Sequence, residues 1–217
     1  RSHLQRILDE YVEARQNAPF SSSHPLWQEF EDVKTDLEQS RPVEDRSTLR
    51  VKWSAGQGNW AYLPWIALFD ERETTTIQNG VYCVYLFRED MSGVCLTLNQ
   101  GVTRSRQEHG RPRARELLGR RAEELRDYCR ELEEGGFELN NSIDLHTDHT
   151  LGIDYEHSTV AHRFYESQSL PDDADLLADL DQVLSAYDRY LSSDIDRRSR
   201  AEPREELGAV VADFGGK

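Results

Sequence analysis

The residues whose types and spacing offer chemistry in this 217-residue chain lie between Leu49 and Phe69, in the run LRVKWSAGQGNWAYLPWIALF. Two strand-like stretches flank a glycine-rich loop. Arg50, Lys52, Trp53 and Ser54 precede the loop, Gly56, Gln57, Gly58 and Asn59 form it, and Trp60, Tyr62, Pro64 and Trp65 follow. Two glycines one residue apart allow positive φ and a close approach of backbone to a ligand, while the aromatics offer flat faces for stacking. That combination suits a planar guest. The Gln57 amide can donate and accept, so it can fill a gap in a duplex or bond a base edge. Arg50, Lys52, Ser54 and Asn59 are placed to bond phosphate or sugar oxygens beside such a guest. The competing account makes the tryptophans core residues and the loop an ordinary solvated turn.

A second cluster is electrostatic. Arg104, Arg106, Arg111, Arg113, Arg115, Arg120 and Arg121 stand against only Glu108 and Glu116. A guanidinium fork grips phosphate bidentately, so this patch is a candidate for DNA backbone contact, with only part of it on one face once the helix begins. Asp144, His146, Asp148, His149, Asp154, His157 and His162 invite a metal reading, but HTDH in a polar segment lacks the spacing of a helical HExxH site. A surface loop is the expectation, with no metal and no cofactor. No GxxxxGK[ST] phosphate loop, GxSxG elbow or nuclease constellation occurs, so the chain is expected to recognise rather than to catalyse.

The elements that must position these residues follow from periodicity. Leu4, Ile7, Leu8 and Tyr11, then Leu26, Phe30, Val33 and Leu37, recur at helical spacing, with Ser23 and Pro25 as cap and first turn of the second helix. Short β-rich runs follow at 49–53, 61–68, 80–87 and 93–98, the last two joined by a hairpin turn over Glu89–Gly93. A long helix is predicted from about Arg113 to Glu134, closed by Gly135 and Gly136. Segments 137–144 and 152–166 are left as strands or loops at the sheet edge, with Tyr155 and Tyr165 as further pocket aromatics. Leu176, Leu177, Leu180, Val183, Leu184 and Tyr187 mark a last helix over 172–191. The expected fold is α+β, a central and mostly antiparallel sheet flanked by N-terminal, middle and C-terminal helices. One domain is expected over 1–192, with 193–217 a charged tail or linker to a further domain.

Composition bounds the function. The chain can hold one full core and is 37% hydrophobic. Cys83, Cys95 and Cys129 form no CxxC pair and read as buried reduced thiols. No apolar run is long enough for a membrane helix and the first residues lack a signal-peptide core, so the expected location is the cytoplasm, without membrane contact. The net charge of -15 is unusual for a nucleic-acid binder. Lysine is nearly absent: Lys34, Lys52 and Lys217 are the only three among 26 basic residues. Abundant carboxylates with arginine replacing lysine match the acidic surfaces of salt-in halophiles. In molar salt the Debye length is about 3 Å, so a DNA reader there must lean on stacking, shape and short hydrogen bonds.

The 49–69 segment, together with GVYCVYL at 80–86, more weakly VCLTLNQG at 94–101 and the stretch 176–187 before Tyr190, resembles the McrB N-terminal DNA-binding domain family of modification-dependent restriction systems. The resemblance covers most of residues 1–192, with its specific part in about fifty residues. It implies an α+β domain that binds double-stranded DNA carrying a modified base and flips that base into an aromatic pocket, while a nuclease or AAA+ GTPase domain or subunit acts on the DNA. Trp65, in its Pro-Trp context, matches the family tryptophan lining the pocket, and Leu86 matches an aliphatic pocket position. Gln57 departs from the family, whose founding member has tyrosine between the same glycines, which leaves open which modified base is bound. Base–aromatic stacking is worth about 1–3 kcal/mol, comparable with the cost of unstacking a base. A desolvated methyl adds only about 0.8 kcal/mol, so a rigid pocket must supply the rest of any selectivity. A protein–protein assembly module without DNA binding is the alternative function, and a metal-dependent hydrolase the third.

Overall fold

The computed structural model describes residues 1–201, with side chains through residue 193. Two amphipathic helices lead: α1 (Ser2–Asn17) buries Leu4, Ile7, Leu8, Tyr11 and Ala14, and α2 (Pro25–Glu38) buries Leu26, Phe30 and Leu37. The α2 cap is His24 rather than the expected Ser23. Its Nδ1 accepts from the Leu26 amide at 3.3 Å, and Pro25 occupies the first turn, where its missing N–H costs nothing. A single turn, α3 (Arg41–Glu44), leads into the sheet.

The sheet is an antiparallel meander in chain order: β1 (Leu49–Gly56), β2 (Trp60–Asp70), β3 (Val81–Phe87), β4 (Gly93–Gln100) and β5 (Ala161–Glu166). Between β4 and β5 lie α4 (Thr103–His109), α5 (Arg111–Arg126) and α6 (Thr150–His157), and α7 (Asp173–Ala201) closes the described chain. The fold is therefore α+β, as expected. The long helix predicted over 113–134 begins near its expected place, as α5, but is shorter: it stops at Arg126, so that the tight turns beyond it can bury Cys129, Leu132 and Phe137. Before it lies α4, set off by Gly110 at φ 72. Segment 137–144 forms no strand among the described residues: its one ladder contact is the Glu138–His162 bridge, and Ile143 packs over the sheet. The last helix runs beyond the predicted 191 to Ala201, and the rest of the expected tail, 202–217, lies outside the described residues.

Opposite faces of the sheet are covered differently. One packs Ile66, Leu68, Val81, Cys83, Tyr85, Phe87, Leu96 and Leu98 against α1, α2 and α7 in a large core. The other carries Leu63, Ala67, Phe69, Tyr82, Val84, Leu86 and Cys95, roofed in part by Ile143, Leu145 and Tyr155. Both faces of β3 and β4 are thus buried, which explains their near-continuous hydrophobic runs. The last helix is tied to the sheet by the Tyr187 hydroxyl, which donates to Val81 O at 2.7 Å and accepts from the Asp70 amide at 3.2 Å. Cys83, Cys95 and Cys129 are buried and unpaired, and burial pushes the Cys95 and Cys129 thiols up to about 12.

Candidate nucleic-acid interface

The second sheet face is the one left partly open. Trp65 and Leu86 are direct partners across β2 and β3, and Ser54 is the partner of Trp65 across β1 and β2. Residues opposite one another in a ladder share a face, so Ser54, Trp65 and Leu86 form one transverse row. Next to that row lies an open groove of about 770 Å³, lined by Lys52, Ser54, Gly56, Gln57, Trp65 and Tyr155 from among the expected residues. Trp27 and Trp53 build its outer wall, with the Trp53 ring stacked on Phe30 at 4.9 Å. Behind the Trp65 indole lies a smaller chamber of about 50 Å³ that reaches Ala67, Tyr82, Val84, Leu86 and Tyr155. Trp65 belongs to both and is half-buried, an indole with one side in the core and the other in the groove.

Chain geometry at the loop explains the glycines. Gly56 has φ 128, and a Cβ there would come within 1.9 Å of Asn59 O, so this turn admits no side chain. Gly58 has φ 75 but open space around it. The Tyr11 hydroxyl clamps both loop stems, lying 3.0 Å from Ala55 O and 2.9 Å from Ala61 O. A mobile-looking sequence is thus anchored to α1.

Two tyrosines that line the chamber have hydroxyls without a protein partner among the described residues. Neither Tyr82 nor Tyr155 makes a side-chain hydrogen bond among the described residues, and burial pushes the Tyr155 phenol up to about 12 and Tyr82 higher still. Asn99, also lining the chamber, is committed: its amide donates to Tyr155 O and to Thr159 Oγ1. The chamber therefore offers an apolar floor and two neutral phenols that can donate to a guest.

The family model described as the MrcB-like N-terminal domain matches residues 6–192. The chain belongs to that family. No curated protein matches it. Membership fits a DNA-recognition role for a domain that is not itself catalytic. Among the described residues no helix is long and apolar enough to cross a membrane.

Several expected site residues of this MrcB-like domain sit elsewhere. Trp60 is 8% exposed on the opposite face, donating from Nε1 to Ala18 O at 3.1 Å and packed edge-on against Tyr11, Phe20 and His24, so it belongs to the core and not to the pocket. A register irregularity separates the Ser54–Trp65 pair from the Gly56–Trp60 pair, so strict alternation does not carry through this end of β2, and the Trp60 ring turns to the side of Tyr11 and Phe20. Tyr62 is exposed but lines neither cavity: its ring lies 3.8 Å from that of His149, with the Arg15 guanidinium 4.7 Å from its centre. Gly58 and Asn59 form the exposed loop tip, outside the groove lining. Tyr165 is on the large-core face, donating to Asp179.

The arginines are largely engaged within the protein. Arg106, Arg111 and Arg115 converge on the buried carboxylate of Asp154 at 3.4, 3.3 and 2.7 Å, tying α4 and α5 to α6. Arg113 pairs with Glu116 at 2.6 Å, Arg104 with Glu108 at 2.8 Å, and Arg50 with Glu71 at 2.7 Å. Arg120 also pairs with Glu116, and Arg121 lies 3.6 Å from Glu73. None of the seven arginines lines the groove. Lys52 does, its ammonium 4.9 Å from the centre of the Phe69 ring.

The histidine-rich segment does not converge. His146 pairs with Asp90 at 2.8 Å and Asp144 at 3.4 Å, His149 stacks on Tyr62, and buried His162 contacts Asn140 at 3.0 Å. Burial lowers the His162 pKa. Asp154 belongs to the arginines. Among the described residues the one group close enough to share an ion is His3, Glu29 and Asp32, and Glu29 there is already bonded by Arg6 at 2.6 Å.

Sequence reasoning missed Tyr82, Val84, Ile77 and Gln78 in the chamber and Trp27 in the groove wall. The first two were accessible: once Leu86 is placed on a face, the period of two in β3 puts Val84 and Tyr82 beside it. Ile77 and Gln78 come from the β2–β3 connection, whose path no periodicity reveals.

Proposed function

We propose that this domain recognises double-stranded DNA carrying a modified base, modified cytosine being the favoured class, by extruding that base against Trp65 and Leu86 as the reading module of a modification-dependent restriction system. The observation that carries the reading is the half-exposed Trp65 indole, directly opposite Leu86, between an open groove and a blind chamber. A cavity of about 150 Å³ holds a benzene ring. The chamber, at about 50 Å³, suits a substituent, whereas the groove, at about 770 Å³, has room for the ring and its sugar. In this arrangement the base stacks on Trp65, its substituent enters between Leu86 and Val84, and the Tyr82 and Tyr155 hydroxyls donate to its polar edge. Gln57 on the loop bonds the orphaned partner base or fills its gap, with Gly56 allowing the close approach. Lys52 and Ser54 contact the flanking phosphates, and the exposed guanidiniums of Arg50, Arg104 and Arg113 exchange their weak surface pairs for backbone contacts farther out.

Cutting falls to a nuclease or AAA+ GTPase on another domain or subunit, reached through the chain beyond about residue 192, in a cytoplasmic defence against foreign DNA. The acidic surface is an adaptation to high salt, where stacking persists and simple charge attraction does not. The test is a titration of duplexes identical except for one cytosine, unmodified or carrying different modifications, against the domain and its Tyr82→Phe and Tyr155→Phe variants. A preference for one modified duplex that the phenol substitutions alter supports the reading. Equal affinity for every duplex rejects it, and oligomers indifferent to DNA would point to an assembly module instead.

A further inference from the structure

Single exposed hydrophobic side chains are ordinary, but two of them beside a groove form a patch that marks a contact. Among the described residues three large ones are exposed: Tyr62 at 50%, Leu151 at 39% and Phe164 at 38%. Phe164 is on the edge strand β5, with the Arg88 guanidinium 3.9 Å from its ring centre. Tyr62 and Leu151 share one corner of the molecule, where β2 leaves the glycine loop and α6 begins. Leu151 lines the groove from the first turn of α6, and the Tyr62 ring lies on that of His149, the N-cap residue of the same helix.

The fold does not account for Leu151. It belongs to neither of the two packed clusters, and the first turn of a helix favours polar and acidic residues over an exposed leucine. Its mount is nevertheless firm. Gly152 comes so close to β2 that a Cβ there would lie 2.5 Å from Leu63 Cδ1 and 2.3 Å from Thr147 Cγ2. Two residues on, Asp154 anchors the helix through its three arginines. Before the helix, the Thr147 hydroxyl donates to Glu89, which faces Arg15 at 3.6 Å and His149 at 3.9 Å. Asp148 nearby is exposed, so this rim offers DNA no grip on phosphate. What it offers is hydrocarbon on a rigid support.

We propose that Leu151 is the wedge that enters the base stack when the modified base leaves it, an inference that rests on the base-extruding reading above. Extrusion leaves a gap between two base pairs, and apolar side chains such as leucine enter between unstacked bases. Burying a leucine there returns free energy of the same order as unstacking one base costs. Trp65 and Leu151 line the same groove, so the base is received and its place is taken from one surface. Of the two roles open to Gln57 this leaves one, a hydrogen bond to the orphaned partner base.

The test compares two duplexes that carry the preferred modified cytosine, one opposite guanine and one opposite adenine, where the mispaired base is already easy to extrude. Leu151 is exposed and outside both clusters, so Leu151→Ala should melt with the parent. In fluorescence anisotropy it should bind the matched duplex about tenfold more weakly and the mismatched one with little loss. Leu151→Phe, still apolar, should keep tight binding to both. If the parent binds modified and unmodified matched duplexes alike, the base-extruding reading fails and the wedge with it. If the parent discriminates but Leu151→Ala binds as the parent does, or weakens equally on both duplexes, the reading of the base stands and the wedge is overturned.

Discussion

Trp65 and Leu86 face each other across the β2–β3 ladder, on the sheet side that the helices leave partly uncovered. The pair sets the spacing between an aromatic wall and an aliphatic wall by backbone hydrogen bonds rather than by loop conformation. A guest set against both, as proposed, would meet a rigid frame, which is what discrimination by shape requires. The same two strands carry Ile66 and Tyr85 on their other side, in the large core.

Replacing the indole tests the frame. Trp65→Ala should lower affinity for the preferred modified duplex by about 1–3 kcal/mol, the worth of one base–aromatic stack. Affinity for the unmodified duplex should change far less. Because Trp65 is half-exposed, the variant should still unfold cooperatively. Fluorescence anisotropy with both duplexes reads the difference, and a parallel loss on both would remove the indole from base recognition.

Gly56 and Gly58 should respond unequally to alanine. At Gly56 a Cβ meets Asn59 O at 1.9 Å and the φ of 128 is closed to other residues, so Gly56→Ala should destabilise by about 2 kcal/mol or more. At Gly58 the space is open and only the left-handed conformation is penalised, by about 1 kcal/mol. Denaturant melts of the two variants give the order, and Gly58→Ala proving the worse would contradict the loop geometry.

Asp154 holds three guanidiniums with a carboxylate only 4% exposed. Asp154→Asn leaves those cations facing one another. Removing one partner of a buried ion pair costs about 3–5 kcal/mol, and because these arginines are partly solvated the loss here should be nearer about 2–3 kcal/mol. Hydrogen exchange should rise in α4, α5 and α6 together. A variant as stable as the parent would mean that the convergence is incidental.

Salt dependence separates two kinds of DNA contact. The groove itself offers Lys34 and Lys52 as its cations. If they carry the phosphate contacts, log K should fall against log salt with a slope of about -2. If the arginines of α4 and α5 also give up their internal partners, five or more contacts would steepen it to about -5. Titrations across a range of salt measure the slope directly.

Acid stability should follow two carboxylates. Burial disfavours ionisation of Asp70, but hydrogen bonds from Arg72 and Thr48 outweigh it and hold the group below its usual value. At Asp90, bonds from His146 and Ser92 overcome partial burial and bring the carboxyl from 3.8 to about 2. A folded pKa below the unfolded one stabilises above the unfolded value, and that stabilisation is lost as pH falls through the folded value. Stability should therefore drop between pH 3.8 and about 2, and Asp90→Asn should flatten part of the drop. Denaturant midpoints measured across that window that do not move would refute the assignment.

Much of this was legible in the chain. Helical spacing placed α1, α2 and the buried part of α7, and the β-rich runs placed four strands, because both signals arise from local burial on one face. Glycine spacing marked the loop, since only backbone geometry demands glycine there. Of the candidate site, Trp65, Leu86, Gln57, Gly56, Lys52, Ser54 and Tyr155 come together around the groove and chamber, as strand pairing and a shared face allow. What the sequence could not determine was which face each aromatic takes and which partner each charge finds. Trp60 and Trp65 look alike in a list of aromatics, yet a register irregularity between them and the packing of Trp60 on Tyr11 and Phe20 leave them on opposite sides. Arginines 106, 111 and 115 read as a free patch until α6, some forty residues on, brings Asp154 beneath them. Burial periodicity is a local property and survives in one dimension, whereas the pairing of a charge or the opening of a cavity depends on residues distant in the chain and is decided only when they meet.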